Sequence, residues 1–220
     1  MRLVGLIGYP LTGSLSPRMM NAAFADVGLD WAYALVPVRE EHVGRALAGL
    51  GELGFTGANV TTPHKLAVAA LCDTELPSVN TLLVREGRIE GHSTDAAILG
   101  GLSPRRPVIL GDGGAAAAFR HALPDAQVFS RRGSWPPDVK GADVIVNATS
   151  ERDEVLVETA PGQTLIDLPY PLTATARTAQ AMGATVIDGL DVLVAQGARS
   201  FELWAGLPAP VDVMRAAVQA

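Results

Sequence analysis

Short hydrophobic runs alternate with helical patterns of polar and apolar residues from the start of the chain. In each pair, an apolar, β-rich run is followed by a segment whose apolar residues recur every three or four positions. The pairs are RLVGLIG with SPRMMNAAFADVG, WAYALVPV with REEHVGRALAGLGELG, and FTGANV with HKLAVAALCD. This alternation predicts an α/β fold.

A second series of hydrophobic runs follows SPRRP, residues 103–107, whose charge and prolines are typical of a connector between domains. Before this connector, NTLLVREGRIEGH predicts a hairpin that turns at Glu86–Gly87, and a short helix is predicted over residues 95–101. After it, five runs predict a compact parallel sheet: PVILG, AQVFS, ADVIVNAT, TLIDL and ATVIDG. Further helices are predicted through Ala118, over TATARTAQAMG, from Leu190 onward and after Pro210.

Composition and charge exclude several classes of protein. The 220 residues are 48% hydrophobic, which suits one large or two small globular domains. The net charge is -6 and no Lys/Arg run exceeds a pair, so we expect no nucleic-acid partner. Cys72 is the single cysteine, which excludes an intramolecular disulfide and a cysteine-rich metal site. The first apolar run is too short for a secretory signal, and no run reaches the about 18 apolar residues of a membrane span, so we expect a cytoplasmic protein without a membrane partner.

The stretch VILGDGGAAAAF, residues 108–119, joins a strand to an alanine-rich helix through a glycine turn. Gly111, Gly113 and Gly114 would allow tight turning and close approach of a pyrophosphate to the helix N-terminus. Asp112 places a carboxylate in the same turn, and this opposes an anionic ligand unless the side chain points away. Taken alone, a turn that merely connects strand and helix is an equally good interpretation.

The next predicted strand ends at Ser130, Arg131 and Arg132, where NAD-preferring folds place an acid for the ribose 2′-hydroxyl. The acid is missing there, and two guanidinium groups can bind a 2′-phosphate, so the pattern favours NADP over NAD. The alternative is that both arginines are solvated surface charges. Trp135 could stack on adenine or be a partly buried structural residue.

Polar side chains follow the strands of the first half. Asn59 and Thr61 lie on the same side of a predicted strand, and Lys65 begins the helix after Pro63, so the three can converge at the strand's carboxyl end. From this segment alone, the favoured interpretation is that Asn59 and Thr61 are turn-forming polar residues and Lys65 is a solvated helix residue. Two more groups of polar residues stand just before predicted helices: Ser14 with Ser16, and Ser93 with Thr94 and Asp95. In these groups Ser16, which precedes Pro17, or Asp95 could simply be an N-cap.

Eight motifs occur in the order found in the shikimate dehydrogenase family, which the chain resembles from Leu6 to about Gly206. They are S-L-S-P, N-V-T-T-P-H-K, V-N-T-L, S-T-D, G-x-G-G-A, N-A-T, D-L-P-Y and D-G-L-x-x-L-V-A-Q. The resemblance implies an N-terminal α/β substrate-binding domain (1–102) and an NADP-binding Rossmann domain (103–188). It also implies C-terminal helices (189–220) that pack back on the first domain, with NADP as cofactor and shikimate or 3-dehydroshikimate as substrate.

The resemblance also implies roles for individual residues. Lys65 and Asp95 form the catalytic pair, which moves the alcohol proton as hydride transfer proceeds, and which of the two accepts the proton is left open. The predicted substrate-binding residues are Ser14, Ser16 and Tyr170 for the carboxylate, Asn59, Thr61, Asn80 and Asp95 for the hydroxyls, and Gln196 for the ring. The predicted cofactor-binding residues are Gly111, Gly113, Gly114, Ala115, Ser130, Arg131, Arg132, Thr149, Leu168 and Gly189, and no metal is expected. Gly189 would let the nicotinamide ring approach because it lacks a side chain.

The chain also departs from the family pattern. Ser93, Ser130 and Asp191 stand where the family has other residues, and the prolines and glycines of residues 132–141 predict a loop in place of the usual crossover helix. A quinate/shikimate dehydrogenase and a non-catalytic paralogue that binds ligand or nucleotide remain alternatives. The protein is expected to be a monomer or homodimer, since family members vary.

Overall fold

The computed structural model describes residues 1–86 and 88–219 and divides the chain into two compact units. Unit 1 comprises Met1–Asp95 and the segment from Val194 onward, and unit 2 comprises Ala96–Leu193. The predicted domain boundaries, after residues 102 and 188, lie near these divisions, and the assignment of one ligand to each unit stays a prediction. Part of the predicted hairpin turn, Gly87, lies outside the described residues.

Within the described residues, ten strands and seven α-helices form where the sequence predicts strands and helices. The strands are β1 (Arg2–Gly8), β2 (Trp31–Pro37), β3 (Phe55–Val60), β4 (Thr81–Arg85), β5 (Arg88–His92), β6 (Val108–Leu110), β7 (Gln127–Phe129), β8 (Val144–Asn147), β9 (Thr164–Asp167) and β10 (Thr185–Ile187). The helices are α1 (Ser16–Asp26), α2 (Val43–Gly49), α3 (Lys65–Ala69), α4 (Gly114–Ala122), α5 (Ala174–Ala181), α6 (Gly189–Ala205) and α7 (Val211–Gln219). The short helix predicted over residues 95–101 is a 3₁₀-helix, Asp95–Gly101.

Unit 1 is built on a five-stranded sheet in the order β2-β1-β3-β4-β5. β1 pairs in parallel with β2 and β3, whereas β4 is antiparallel to both β3 and β5. Helix α7 packs against α1, so the last helix lies on the first one. Trp204 of α6 donates a hydrogen bond from Nε1 to the Leu82 carbonyl at 2.9 Å. The indole fills the space beside Gly57, where a Cβ would lie 2.4 Å from Nε1.

Unit 2 is built on a parallel sheet in the order β10-β9-β8-β6-β7. From β6 the chain continues to β7 on one side, and β8 then lies on the other side of β6. In such a sheet, the crevice outside the carboxyl ends of the two diverging strands is where ligands bind. Residues 130–143, between β7 and β8, contain no helix, which confirms the predicted loop. Within the described part of the chain, no helix is both long enough and apolar enough to cross a membrane.

Candidate active site

Lys65 and Asp95 form a buried ion pair in unit 1. Lys65 is the first residue of α3, and its Nζ lies 2.7 Å from each carboxylate oxygen of Asp95. Their side chains are 12% and 4% exposed, so the attraction between them is only weakly screened by water. Asp95 therefore does more than cap a helix, and the structure brings together the two residues predicted to be catalytic.

Asn80 fixes the orientation of Asp95. Its Oδ1 accepts a hydrogen bond from the Thr94 N–H at 2.7 Å, and its Nδ2 donates to Asp95 Oδ1 at 3.0 Å. Nδ2 also lies 3.2 Å from Oε1 of Gln196 on α6. Four of the predicted site residues are thus connected by hydrogen bonds, although Gln196 is more than a hundred residues from the others in the sequence.

Asn59 belongs to the same hydrogen-bond network, and its side-chain amide bonds to other protein groups. Its Oδ1 accepts a 2.8 Å hydrogen bond from the Tyr33 hydroxyl, and its Nδ2 lies 3.1 Å from Thr81 Oγ1 and 3.0 Å from Ser200 Oγ. Nδ2 also lies 3.1 Å from the Asn80 carbonyl. Both ends of the Asn59 amide are therefore bonded within the protein, which is the geometry of a positioning residue rather than of a free substrate contact.

Tyr33 and Ser200 were not predicted as site residues. Ser200 is fully buried, and its hydroxyl also bonds the Gln196 carbonyl at 3.0 Å. Its position four residues after Gln196 places it on the same face of a helix, and this spacing could have identified it. Tyr33 contributes through its hydroxyl at the end of an otherwise apolar ring, which no local pattern in the sequence marks.

Ser14, Ser16 and Thr61 lie in the segments that follow β1 and β3, two adjacent parallel strands. The Tyr9 N–H donates to the Thr62 carbonyl at 3.2 Å, which ties the two segments together. The suggestion that Ser16 is an N-cap is wrong, because Leu15 occupies the cap position and Ser16 is the first residue of α1. Ser14 Oγ instead accepts from the Ser16 N–H at 3.4 Å. Over residues 1–86 and 88–219, the hydroxyls of Ser16 and Thr61 have no hydrogen-bond partner, so both can bind a ligand.

In unit 2, the glycine turn between β6 and α4 fits a dinucleotide. Gly111 has φ +120°, and a Cβ there would lie 2.9 Å from the Ala148 carbonyl oxygen, so only glycine suits this position. A Cβ added to Gly113 would have no other atom within 4 Å, so the approach to the N-terminus of α4 is open. The first turn of α4, which is fully described, contains no acidic residue. Its free N–H groups, from Gly114 and Ala115 on, can therefore face a bound phosphate group.

The carboxylate of Asp112 is paired with a cation. It lies 3.8 Å from Nε of Arg132, and the two side chains are 42% and 88% exposed. Of the two orientations that the sequence allows, the structure shows the one in which Asp112 pairs with a cation at the surface. Asp112 is therefore compatible with a phosphate at the helix N-terminus.

Arg131 and Arg132 lie in the turn after β7, where Ser130 accepts a backbone hydrogen bond from Gly133. Arg131 forms an ion pair with Glu154 and lies 5.6 Å from the centre of the Trp135 ring. Trp135 packs against the core of unit 2, as expected of a structural residue. The arginines are thus exposed but paired, so neither is simply a solvated charge.

A buried polar pair joins the ends of β8 and β9. Asn147 Nδ2 donates to Asp167 Oδ1 at 2.7 Å, and Asn147 Oδ1 accepts from the Thr149 hydroxyl at 2.7 Å. Asp167 is fully buried, and burial raises the pKa of its carboxyl although hydrogen bonds from Asn147 and Thr173 oppose the rise. The predicted cofactor residue Thr149 is thereby held in place from within the sheet.

Gly189, the first residue of α6, lies against the D-L-P-Y segment. A Cβ there would be 2.6 Å from the Leu168 carbonyl oxygen and 2.3 Å from that of Pro169. The missing side chain leaves room for this backbone, and the predicted approach of the nicotinamide ring to Gly189 stays a prediction. Tyr170, predicted to hold the substrate carboxylate, lines a cavity of about 390 Å³ in unit 2 together with Arg177, Asp188 and Gly189.

The described residues do not bring together three His, Cys, Asp or Glu side chains that could hold a metal ion. The polar chemistry that they do bring together is an ammonium–carboxylate pair in unit 1 and a glycine turn with nearby guanidinium groups in unit 2. The first can exchange a proton with a hydroxyl, and the second can bind phosphate groups.

Two segments of the chain match known protein families. Residues 6–82 match the family described as "Shikimate dehydrogenase substrate binding domain", and residues 189–219 match "Shikimate 5'-dehydrogenase C-terminal domain". Among solved structures, the chain is similar to shikimate 5-dehydrogenase from Thermus thermophilus in complex with NADP(H) and shikimate. That comparison has a TM-score of 0.87 at 30% identity and covers 100% of this chain and 99% of the other.

Curated relatives match over nearly their whole length. The chain is 36% identical to shikimate dehydrogenase (NADP(+)) of Anaeromyxobacter sp. (strain Fw109-5), covering 99% of this chain and 96% of the relative. It is 38% identical to the Methanopyrus kandleri enzyme of the same name, covering 98% and 94%. The first alignment spans 267 positions, more than the 220 residues of this chain, so the relative has internal segments that this chain lacks. With this identity over almost the entire sequence, the chain belongs to the shikimate dehydrogenase family.

Proposed function

We propose that this protein is an NADP-dependent shikimate dehydrogenase, which reversibly reduces 3-dehydroshikimate to shikimate in the synthesis of chorismate and aromatic amino acids. The observation that carries the proposal is the buried Lys65–Asp95 pair, hydrogen-bonded through Asn80 to Gln196. Family membership supplies the substrate and cofactor, and the pair supplies the chemistry that the reaction needs.

The pair would act on the proton of the reacting hydroxyl. NADP, when bound, accepts a hydride from the alcohol carbon or, as NADPH, returns one to the carbonyl. Lys65 would exchange the hydroxyl proton and stabilise negative charge on the oxygen, while Asp95, held by Asn80, would orient both the ammonium and the hydroxyl. General acid–base assistance of this kind typically contributes roughly 10²- to 10⁴-fold in rate.

The remaining residues would bind and orient the two ligands. The unpartnered hydroxyls of Ser16 and Thr61 support direct substrate contacts, with Ser14 beside them, whereas the engaged amide of Asn59 supports a positioning role. We assign Tyr170 to the substrate carboxylate and Gln196 to the ring. Gly113, Gly114 and Ala115 would hold the NADP pyrophosphate, Arg131 and Arg132 the 2′-phosphate, and Thr149 and Leu168 the nicotinamide side.

A spectrophotometric assay of the purified protein tests the proposal. Shikimate with NADP should give reduced nicotinamide, quinate should give a slower reaction, and NAD should support less turnover than NADP. Absence of turnover with either cofactor would refute the enzyme and favour a non-catalytic paralogue, and faster oxidation of quinate would make the protein a quinate/shikimate dehydrogenase. A cytoplasmic location and a monomer or homodimer remain part of the proposal, and size-exclusion chromatography tests the second.

A further inference from the structure

Arg131 forms an ion pair with a carboxylate from another segment of the chain, which the sequence around Arg131 does not predict. The strand end at Ser130 lacks the acid that NAD-preferring folds use for the ribose 2′-hydroxyl. In the structure, Glu154 from the segment after β8 supplies a carboxylate at Arg131. The group that the proposed function assigns to the 2′-phosphate of NADP thus has an anionic competitor within the same unit.

The position of Glu154 is determined by its backbone. Glu151 Oε1 accepts hydrogen bonds from the N–H groups of Arg152, Asp153 and Glu154 at 2.9, 3.0 and 3.3 Å. The Glu154 carbonyl accepts from the Thr175 hydroxyl of α5 at 3.3 Å. The Glu151 N–H donates to Thr149 Oγ1 at 3.2 Å, which ties the turn to the end of β8. Glu154 is therefore held beside the crevice from both of its peptide groups.

Two further groups lie beside Arg131. Trp135 covers the guanidinium at 5.6 Å, and the ionised carboxylate of Glu151 adds negative charge nearby, since its backbone hydrogen bonds, and secondarily Arg131, lower its pKa. A 2′-phosphate must compete with Glu154 for the N–H donors of Arg131. The 2′-hydroxyl of NAD does not have to compete with Glu154, because the Glu154 carboxylate can accept a hydrogen bond from that hydroxyl.

We propose that Glu154 is a specificity-determining residue of the cofactor site, which weakens binding of the NADP 2′-phosphate and accepts the 2′-hydroxyl of NAD. The inference rests on the proposed function, because it places the adenosine ribose beside Arg131. Its consequence is that the protein discriminates between NADP and NAD less strongly than its two arginines alone would allow.

Titration of the dinucleotides into the full-length protein tests this inference without relying on turnover. We measure Kd for NADP, NAD and adenosine 2′,5′-bisphosphate by calorimetry, in the wild type, in Glu154→Gln and in the matched control Asp153→Asn. The control removes the same charge one residue away, from a side chain that does not pair with Arg131. Because the side chain of Glu154 is 61% exposed, both variants should keep the wild-type melting temperature.

The Glu154→Gln variant should raise the ratio of Kd for NAD to Kd for NADP by about 5-fold, the upper range for an exposed ion pair. Adenosine 2′,5′-bisphosphate should bind a few-fold more tightly, and Asp153→Asn should change neither value. In an Arg131→Ala background, Glu154→Gln should no longer alter the Kd for NADP or for adenosine 2′,5′-bisphosphate, since no guanidinium is left to compete for.

Three results would overturn the inference: an unchanged ratio in Glu154→Gln, an equal change in Asp153→Asn, or tighter binding of NADP and the bisphosphate by Glu154→Gln that persists without Arg131. These outcomes differ from failure of the proposed function. In that case, the wild type itself binds neither dinucleotide and does not oxidise shikimate.

Discussion

At the scale of single residues, the choice of lysine at position 65 is informative. Arginine is the basic residue that this chain uses almost everywhere, and Lys140 is its only other lysine. A guanidinium does not release its proton in proteins, whereas an ammonium can. Lys65 therefore provides, in a buried ion pair, a group that can take part in proton transfer as well as bind.

Replacing Lys65 with methionine should lower turnover by at least about 10²-fold, because the proton-transferring group is lost while the side-chain volume is kept. NADP should still bind, since Lys65 and the glycine turn belong to different units. Steady-state kinetics and NADP titration measure the two effects. Lys140→Met, at an exposed lysine, is the matched control and should behave as wild type. Loss of NADP binding in Lys65→Met would show that the lysine is misassigned.

At the scale of elements, the paired ends of β8 and β9 carry a buried charge. Asn147 and Asp167 are neighbours in the strand register and share a hydrogen bond. Burial raises the pKa of Asp167, so the folded protein holds this proton more tightly than the unfolded chain. Folding stability from this group therefore rises as the pH falls from above the folded-state pKa towards the unfolded value near 4.

The Asp167→Asn substitution should remove this pH dependence. As the pH falls from 7 to below 4, the wild type should gain unfolding free energy relative to Asp167→Asn, and over this whole interval the gain should total about 1.4 kcal/mol for each unit by which the pKa is raised. Melting curves at several pH values give this difference. Asp125→Asn, at an exposed acid, should not show it. If the difference in unfolding free energy between wild type and Asp167→Asn does not change with pH, the assignment of a raised pKa to Asp167 is contradicted.

The order of elements could be predicted from the sequence because most strands are short apolar runs, and β5, RIEGH, was found through its hairpin turn. Lengths were predicted less well: the helix expected over residues 39–54 is a 3₁₀ turn, Glu40–His42, followed by the short α2. Gly49, the last residue of α2, and Gly51 account for the early end of the helix, since glycine disfavours helix interiors. Lys65 and Asp95 were found through motifs, whereas the Glu154–Arg131 pair joins residues far apart in the chain and has no local pattern.

At the scale of the whole molecule, unit 1 is assembled from both ends of the chain. Met214 of α7 is fully buried, and its Cε lies 3.2 Å from the position of a Cβ on Gly197 of α6. Since α7 also packs against α1, the C-terminal helices form part of the core around the N-terminal strands. The core of unit 1 therefore includes residues from both ends of the chain.

The Met214→Ala substitution should lower the unfolding free energy by about 2–5 kcal/mol, the usual cost of emptying a fully buried site of this size. Denaturant titration monitored by tryptophan fluorescence measures the change. Met182→Ala is the control, because it makes the same chemical change at a side chain that is 50% exposed. Equal effects of the two substitutions would show that α7 does not contribute to the core of unit 1.

The 141-residue separation between Asn59 and Ser200 also determines the order in which the protein can be completed during synthesis. Every residue of unit 2 is added to the chain before Ser200, so the hydrogen bond between Asn59 and Ser200 can form only after the inserted unit has been synthesised. Asn59 and Thr81 find their other hydrogen-bond partners within the first half of the chain, but their bonds to Ser200 wait for its last tenth. The segment that is translated first therefore gains part of its buried hydrogen bonding only near the end of synthesis.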